Sequence, residues 1–331
     1  MKVLYFQRKR ANKGHFSIES LFDSIRKNLP SSIQTKVVIS SFVNSGVFKR
    51  LFNILEIPFK EKGDINHVTG DIHYVTFLMR KRKTILTIHD VNLLYTPSAL
   101  KKFIHSWFWL KIPILRSHVI TVISHATKEE VLKYTNCPPD KIRVIYNCIS
   151  SKFLPVPKVF NKEKPTLLQI GTRDNKNLSR VIEAIAGLAC KLDIVGEPPA
   201  ETLRLLATHR IDFSWRANLT DQEMIQKYVD CDILIFVSIY EGFGLPIIEA
   251  NTVERPVITS NRSSMAEIAG DAACLVDPLD VQSIRRGVIR VIEDDQYRQA
   301  LLERGKRNRE RFQPEAVAQQ YFKLYQELLI P

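Results

Sequence analysis

The chain has 331 residues, and its 48 lysines and arginines outnumber its 35 aspartates and glutamates, giving a formal net charge of +13. Its five cysteines are widely spaced without a Cys-x-x-Cys pair, which argues against a disulfide scaffold or a zinc site. No apolar run approaches the roughly 18 residues that a membrane-spanning helix needs. The chain is therefore expected to be cytoplasmic, or peripheral on the inner face of the cell membrane, and its charge favours anionic partners.

Short apolar runs alternate with amphipathic stretches through the first half of the chain. Helices are predicted over residues 17–28 and 124–134, among others. The predicted strands are Val3–Phe6, Lys36–Ser40, Thr84–Ile88, Val119–Val122 and Ile142–Ile145. This alternation predicts a parallel sheet that is covered by helices on both faces.

The pattern breaks near Pro155, Pro157 and Pro165, where a polar segment is typical of a linker between domains. Strands are then predicted at Thr166–Ile170, Leu192–Val195, Ile211–Trp215, Ile233–Val237, Pro256–Thr259 and Ala273–Val276, followed by helical pattern from Val281 to Leu329. The sequence thus predicts an α/β protein with two doubly wound, Rossmann-like domains, 1–155 and 156–313, facing each other across a cleft. In such domains ligands bind at the carboxyl ends of the strands.

The segment from Glu241 to Glu249, EGFGLPIIE, directly follows the predicted strand Ile233–Val237. Its glycines allow close backbone approach, and Pro246 suits the first turn of a helix. A strand, a glycine-containing loop and a helix start would present main-chain N–H groups to a diphosphate. Both glutamates, with Glu249 expected in the first helical turn, could accept hydrogen bonds from sugar hydroxyls. A purely structural role at the helix start is the alternative.

Arg173 and Lys176 follow the first predicted strand of the second half, within the segment LLQIGTRDNKNL. A cation just beyond a strand end is well placed to neutralise a phosphate group. A solvated surface lysine is the alternative, and it is the more common case for any single lysine.

These segments resemble the retaining glycosyltransferases of family 4, group 1 type, which have the GT-B fold. The Glu-x7-Glu motif of that family matches Glu241 and Glu249, and Thr87–Asp90 resembles its histidine loop beside the acceptor site. The resemblance implies catalytic roles for Glu241 and His89. It implies a donor-binding set made of Arg173, Lys176, Gly242, Phe243, Gly244 and Glu249. It also implies that the C-terminal helix, 314–331, crosses back to the N-terminal domain, which would bind the acceptor.

The match is weaker in some loops. Residues 250–255 depart from the glycine-bearing stretch that is usual in the family, which puts the local loop geometry in doubt. Gly14 and Asp90 are weaker candidates for an acceptor or phosphate loop, and a plain turn before the first helix is an equal alternative at Gly14.

Asp230-Cys231-Asp232 has the Asp-x-Asp pattern of metal-dependent glycosyltransferases. It falls between a predicted helix and a predicted strand, so we interpret it as a structural junction with poor geometry for a metal. No metal or other cofactor is expected, because Lys176, Arg173 and the helix start would supply the electrostatic stabilisation.

Residues 100–116 combine lysines with large aromatic side chains, including Trp107 and Trp109. This composition is typical of a helix that lies on an anionic membrane surface. A domain helix with aromatic residues in the core and solvated lysines is a nearly equal alternative. Nucleic-acid binding is not expected, because the basic residues are not gathered on one reader helix.

The predicted function is retaining transfer of a sugar from a nucleoside-diphosphate sugar to a glycan or lipid-linked acceptor, in surface polysaccharide synthesis such as that of O-antigen, capsule or exopolysaccharide. Two alternatives remain at this point. One is a different enzyme on the same fold, such as a nucleotide-sugar epimerase or a phosphorylase. The other is a non-catalytic protein that binds polyanions or membranes.

Overall fold

A computed structural model describes residues 1–9, 18–60, 63–95 and 98–329. The chain divides into two units: unit 1 comprises Met1–Cys148 with Pro314–Pro331, and unit 2 comprises Ile149–Gln313. Each unit contains a six-stranded sheet in which all paired strands are parallel. The prediction of an α/β protein with two doubly wound sheets is therefore confirmed.

The sheet of unit 1 has the strand order β2-β1-β3-β4-β5-β6. Its strands are β1 Lys2–Lys9, β2 Gln34–Val43, β3 Ile65–Val68, β4 Thr84–Ile88, β5 Val119–Val122 and β6 Ile142–Val144. The helices before the linker are α1 Ile18–Lys27, α2 Val47–Leu55, α3 Ile57–Lys60, α4 Ala99–His105, α5 Ile112–Arg116 and α6 His125–Tyr134. A π-helical segment, Ser106–Lys111, joins α4 to α5.

Strand β3 is absent from the sequence-based prediction. The reason is its composition, because Asn66 and His67 interrupt the apolar run Ile65–Val68. Both polar side chains are buried. The two ring nitrogens of His67 lie 2.7 Å from the hydroxyls of Tyr325 and Thr87, so its polar atoms are satisfied inside the core.

The sheet of unit 2 has the strand order β12-β11-β10-β7-β8-β9. Its strands are β7 Thr166–Ile170, β8 Lys191–Val195, β9 Asp212–Arg216, β10 Ile233–Phe236, β11 Val257–Ser260 and β12 Cys274–Val276. Its helices are α7 Leu178–Ile185, α8 Ala200–Thr208, α9 Asp221–Asp230, α10 Leu245–Thr252, α11 Ser263–Ala269, α12 Val281–Glu293 and α13 Asp295–Asn308. Strand β10 is buried at every residue, as expected for a parallel sheet covered on both faces.

The last helix, α14 (Pro314–Glu327), belongs to unit 1. Its Tyr325 hydroxyl lies 2.8 Å from that of Tyr5 on β1. Tyr321 and Val317 of α14 pack with Phe22 and other apolar residues against β1. The core of unit 1 therefore includes side chains from both ends of the described chain.

A buried arginine joins three segments of unit 2 beyond α10. Glu254 takes a left-handed backbone conformation with a φ of 63°, the conformation in which glycine is the usual residue after a helix. Arg255 is 2% exposed. Its guanidinium donates hydrogen bonds to the carbonyls of Val156, Val229, Cys231, Val253 and Glu254. The loop that departs from the family pattern is thus fixed by its own arginine.

Within the described residues, no helix is long and apolar enough to cross a membrane. The five cysteines are free and buried.

Candidate active site

The candidate site of unit 2 lies where the connections of its sheet change direction. The chain passes from β7 through β8 to β9 on one side, and then returns to β10 on the other side of β7. At such a switch point the loops beyond the two central strands diverge, which leaves a crevice at their carboxyl ends. The loops after β7 and β10 carry Lys176 and Glu241, so the topology brings these two predicted residues to one place.

Lys176 and Glu241 form an ion pair across these loops. The Lys176 Nζ atom lies 2.5 Å from Glu241 Oε1, and both side chains are mostly buried. The Lys176 ammonium also lies 4.8 Å from the centroid of the Phe236 ring at the end of β10, within the range of a cation–π interaction. The site therefore holds a fixed positive charge and a fixed carboxylate in contact with each other.

The two loops are joined by contacts from Asn175, which the sequence analysis did not single out. The side-chain amide of Asn175 donates to the main-chain carbonyl of Tyr240 at 3.1 Å. The main-chain carbonyl of Asn175 accepts from the N–H of Ile239 at 2.8 Å. On the other side, the hydroxyls of Ser263 and Ser264 donate to the carbonyl of Glu241 at 2.8 and 2.9 Å. The position of Glu241 is therefore set by main-chain contacts as well as by Lys176.

Gly171 makes room for the lysine. It has a φ of +88°, and a Cβ atom at this position would lie 2.9 Å from Cγ of Lys176. A larger residue would displace the side chain that carries the cation. Arg173, the second predicted cation, is exposed at the start of the same loop.

The start of α10 differs from the prediction in the position of Glu249. Gly244, with a φ of 106°, precedes the helix, and Pro246 is its second residue. Glu249 was predicted in the first turn of this helix, but it is the fifth residue of α10 and lies beyond that turn. The Phe243 side chain is buried and packs edge-on against Phe312 at 5.9 Å. Gly242 remains partly exposed in the loop. Phe243 is therefore a packing residue.

Glu249 contacts a residue that sequence reasoning missed. The Tyr228 hydroxyl of α9 donates a hydrogen bond to Glu249 Oε2. Burial raises the pKa of Glu249 from 4.5 to about 7, and the Tyr228 hydrogen bond opposes this shift. Near neutral pH this carboxyl group is divided between its protonated and ionised forms.

Replacement of Glu249 by glutamine should change how stability depends on pH. A raised pKa in the folded state stabilises the chain below pH 4.5, and this contribution is lost as the pH rises through about 7. The loss amounts to at most about 3 kcal/mol for the wild type, whereas glutamine does not titrate. The melting temperature of Glu249→Gln relative to the wild type should therefore rise between about pH 5 and about pH 8. A difference in melting temperature that stays constant over this pH range would contradict the raised pKa of Glu249.

In unit 1, the predicted residue His89 lies just after β4. Its Nε2 atom lies 3.0 Å from the carbonyl oxygen of Thr69. Burial lowers the pKa of His89, so the ring is neutral at pH 7. The carbonyl can only accept, which makes Nε2 the protonated nitrogen and leaves Nδ1 as an acceptor. Thr69 follows β3, so His89 lies at the carboxyl edge of this sheet.

Two carboxylates lie near His89. Asp71 forms an ion pair with Arg8 at 3.1 Å, and Asp90 accepts a hydrogen bond from the N–H of Asn92 at 2.9 Å. Asp90 therefore stabilises a turn and remains partly exposed. Gly14 lies outside the described residues.

A further histidine, His73, is buried in a 3₁₀ turn. Its Nδ1 atom lies 2.8 Å from the carbonyl of Trp109. Like His67, His73 is therefore a buried residue with a hydrogen-bond partner inside unit 1.

The Asp-x-Asp pattern has a structural role at Asp232. This side chain is buried, and it accepts hydrogen bonds from the N–H groups of Asn161 and Thr166 at 3.2 and 2.8 Å. It also pairs with Lys158 at 2.9 Å. Its oxygens thus hold the linker against the start of β7. Within the described part of the chain, no three His, Cys, Asp or Glu residues are grouped to hold a metal ion.

Two family profiles match the chain in succession. The family described as Glycosyltransferase Family 4 matches residues 36–153. The family described as Glycosyl transferases group 1 matches residues 151–308, which includes every predicted donor-binding residue.

Similar sequences include two enzymes of Escherichia coli. O-antigen chain mannosyltransferase B is 25% identical over 278 residues, covering 75% of this chain and 71% of that protein. The serotype-specific mannosyltransferase WbdA is 28% identical over 208 residues, covering 55% of this chain and 25% of its own length. The match therefore spans about a quarter of WbdA.

A solved structure shows the fold. The crystal structure of Anabaena Alr3699/HepE in complex with UDP and glucose has a TM-score of 0.78 at 15% identity, covering 99% of this chain and 100% of that one. The two parallel six-stranded sheets are those of the GT-B fold, a fold of glycosyltransferases. The sequence matches narrow this class further: the chain belongs to glycosyltransferase family 4, group 1 type.

Proposed function

We propose that this glycosyltransferase moves a hexosyl group, with mannose as the first candidate, from a nucleoside-diphosphate sugar to a glycan or lipid-linked acceptor during the synthesis of a surface polysaccharide such as O-antigen. The observation that carries the proposal is the 2.5 Å contact between Lys176 and Glu241 at the switch point of unit 2. The names of the similar mannosyltransferases support the choice of sugar and polymer.

The donor diphosphate would take the place of Glu241 as the partner of Lys176. A sugar hydroxyl would then satisfy the Glu241 carboxylate, because carboxylates accept hydrogen bonds from hydroxyl groups. Negative charge develops on the diphosphate as the glycosidic bond breaks, and a cation already held in place by Gly171 and Phe236 stabilises it without reorganisation. Lys176 thus contributes more to the transition state than to the bound ground state.

Other donor contacts surround this pair. Arg173 would add a second cation from solvent, and the main chain at Gly242–Gly244 would donate to phosphate oxygens. Glu249 would accept hydrogen bonds from ribose hydroxyls in place of the one from Tyr228. No metal is assigned a role, because the fixed cations supply the charge stabilisation.

The acceptor would bind at the carboxyl edge of the sheet of unit 1. His89 offers a neutral ring whose Nδ1 accepts a hydrogen bond, and Asp90 and the loop with Gly14 are further candidates. We propose retention of the anomeric configuration from the family, with transfer on one face of the sugar, since the chain offers no convincing enzymic nucleophile.

Residues 100–116 would contact an anionic membrane surface on the inner face of the cell membrane. The structure divides this segment: Trp109 and Leu110 are buried in the core, whereas Leu100, Phe103, Ile104 and Trp107 are exposed. Lys101 and Lys102 lie among the exposed residues and would face lipid head groups. The packing alternative therefore describes Trp109 and Leu110, and the membrane proposal concerns the exposed residues.

A donor screen tests the proposal. The protein is incubated with GDP-mannose, UDP-glucose and other nucleotide sugars, with and without a lipid-linked glycan acceptor, and the release of free nucleoside diphosphate is measured. We expect release from one donor that depends on the acceptor and is unchanged by EDTA. Isomerised sugar would indicate an epimerase, and dependence on phosphate a phosphorylase. The absence of both binding and release with every nucleotide would leave a polyanion- or membrane-binding protein.

A further inference from the structure

Helices α2 and α3 expose an unusually apolar surface. Phe48 is 88% exposed, Phe59 79% and Val47 75%. We call this surface the apolar face, which comprises Val47, Phe48, Leu51, Phe52, Leu55 and Phe59, all of them exposed large hydrophobic residues. Contiguous apolar patches of this kind on a protein surface mark interaction sites.

The orientation of α2 is the reverse of that in an ordinary surface helix. The residues that α2 buries are Asn53 and Ile54. Both polar atoms of the Asn53 side chain bond to the main chain of Phe42 on β2: Oδ1 accepts from its N–H at 3.0 Å, and Nδ2 donates to its carbonyl at 2.9 Å. A buried polar side chain thus fixes the helix with its phenylalanines turned outward, so their exposure is built into the fold.

Basic residues lie beside the apolar face. Lys49 is exposed on α2, and the guanidinium of Arg50 lies 4.6 Å from the centroid of the Trp109 ring. This contact places α2 next to the 100–116 segment, where Lys101 and Lys102 accompany the exposed Phe103. Helix α2 therefore contacts, through Arg50 and Trp109, the segment that carries these further cations and exposed apolar side chains.

We propose that the apolar face of α2 and α3 is the main site at which this enzyme docks on an anionic lipid bilayer. The phenylalanines enter the interface between head groups and acyl chains, and the lysines contact anionic head groups. A second copy of this chain is the less favoured occupant, because two such faces would bring like charges together.

The position of the apolar face suits a lipid-linked acceptor. Asn44, in the turn between β2 and α2, donates a hydrogen bond to the carbonyl of Asp71 at 2.5 Å. Asp71 and His89 lie at the carboxyl edge of the same sheet, so α2 begins where the proposed acceptor site lies. An acceptor held in the bilayer by its lipid would present its sugar at this edge. This step rests on the proposed function, whereas docking itself does not.

Vesicle flotation tests the docking surface without donor or acceptor. The full chain is mixed with phosphatidylcholine vesicles, with or without phosphatidylglycerol. We expect flotation with the anionic vesicles, and a roughly tenfold smaller bound fraction for the double variant Phe48→Ser, Phe59→Ser. Because both side chains are exposed, the melting temperature should not change. The matched control is Val159→Ser in unit 2, which removes a side chain that is 93% exposed and should float like the wild type.

Each other outcome overturns the proposal. The double variant floating like the wild type, or the wild type failing to float, excludes α2 and α3 as the bilayer site. A dimer in sedimentation that the double variant abolishes identifies a second copy as the occupant. A failed donor screen leaves the flotation result intact, so the two proposals are tested separately.

Discussion

Replacing Lys176 with alanine should lower kcat/KM for sugar transfer by about one hundred to one thousand fold, the usual cost of losing one preorganised charge donor. The ammonium group is the cation held between the loops after β7 and β10, 2.5 Å from Glu241. Without it, the departing diphosphate loses its buried counter-charge, and Glu241 loses its partner. Steady-state kinetics with the donor identified in the screen measures the effect.

Two further substitutions separate the charge of Lys176 from its packing. Lys176→Met keeps an unbranched chain over Gly171 and the Phe236 ring while removing the charge, so it should be as inactive as the alanine variant. Lys164→Ala is the matched control, since Lys164 precedes β7 at the opposite edge of the same sheet, where it pairs with Asp212. Wild-type kinetics for Lys176→Met would refute the electrostatic role.

Replacing Arg255 with alanine should lower the free energy of unfolding by about 3 to 5 kcal/mol. The substitution removes the donors to five main-chain carbonyls in three segments. Buried acceptors left without a partner cost their full desolvation penalty. Arg255→Lys should recover little, because a single ammonium group cannot reproduce the fork of the guanidinium. Urea denaturation of the purified variants gives the measurement.

Arg286 provides the control for this stability change. It is exposed on α12 and pairs with Asp280 at 3.4 Å, so Arg286→Ala should change the unfolding free energy by no more than about 0.5 kcal/mol. Equal effects of the Arg255 and Arg286 substitutions would show that the five buried hydrogen bonds contribute nothing specific.

Most strands could be predicted because the cores of parallel sheets are continuous apolar runs. Thr84–Ile88 and Thr166–Ile170 have the same bounds in the sequence-based prediction and in the structure. Strand β3 could not be predicted in this way, because the polar residues Asn66 and His67 interrupt its apolar run. Their burial depends on partners such as Tyr325, which is 258 residues from His67 in the chain. Hydrogen bonds over such separations leave no local pattern in a sequence.

The candidate site was predictable to the extent that strand ends determine it. Lys176 and Glu241 follow neighbouring parallel strands, so the topology alone brings them together. Tyr228 was missed because it lies in the last turn of α9, where a tyrosine is usually interpreted as an ordinary packing residue. Phe243 was placed with the donor-binding residues by its position in the motif, yet its side chain is directed into the core by Phe312. Side-chain direction in an irregular loop depends on packing partners that periodicity does not reveal.

The membership of α14 in unit 1 has a consequence for biosynthesis. As the nascent chain leaves the ribosome, every strand of the first sheet emerges before unit 2, but Tyr321 and Tyr325, which complete its core, emerge only after unit 2. Unit 2 is continuous from Ile149 to Gln313 and needs no side chain of α14 for its own core. Unit 1 can complete its core only when α14 docks. Until then the pocket for Tyr325 beside Tyr5 and His67 is incomplete.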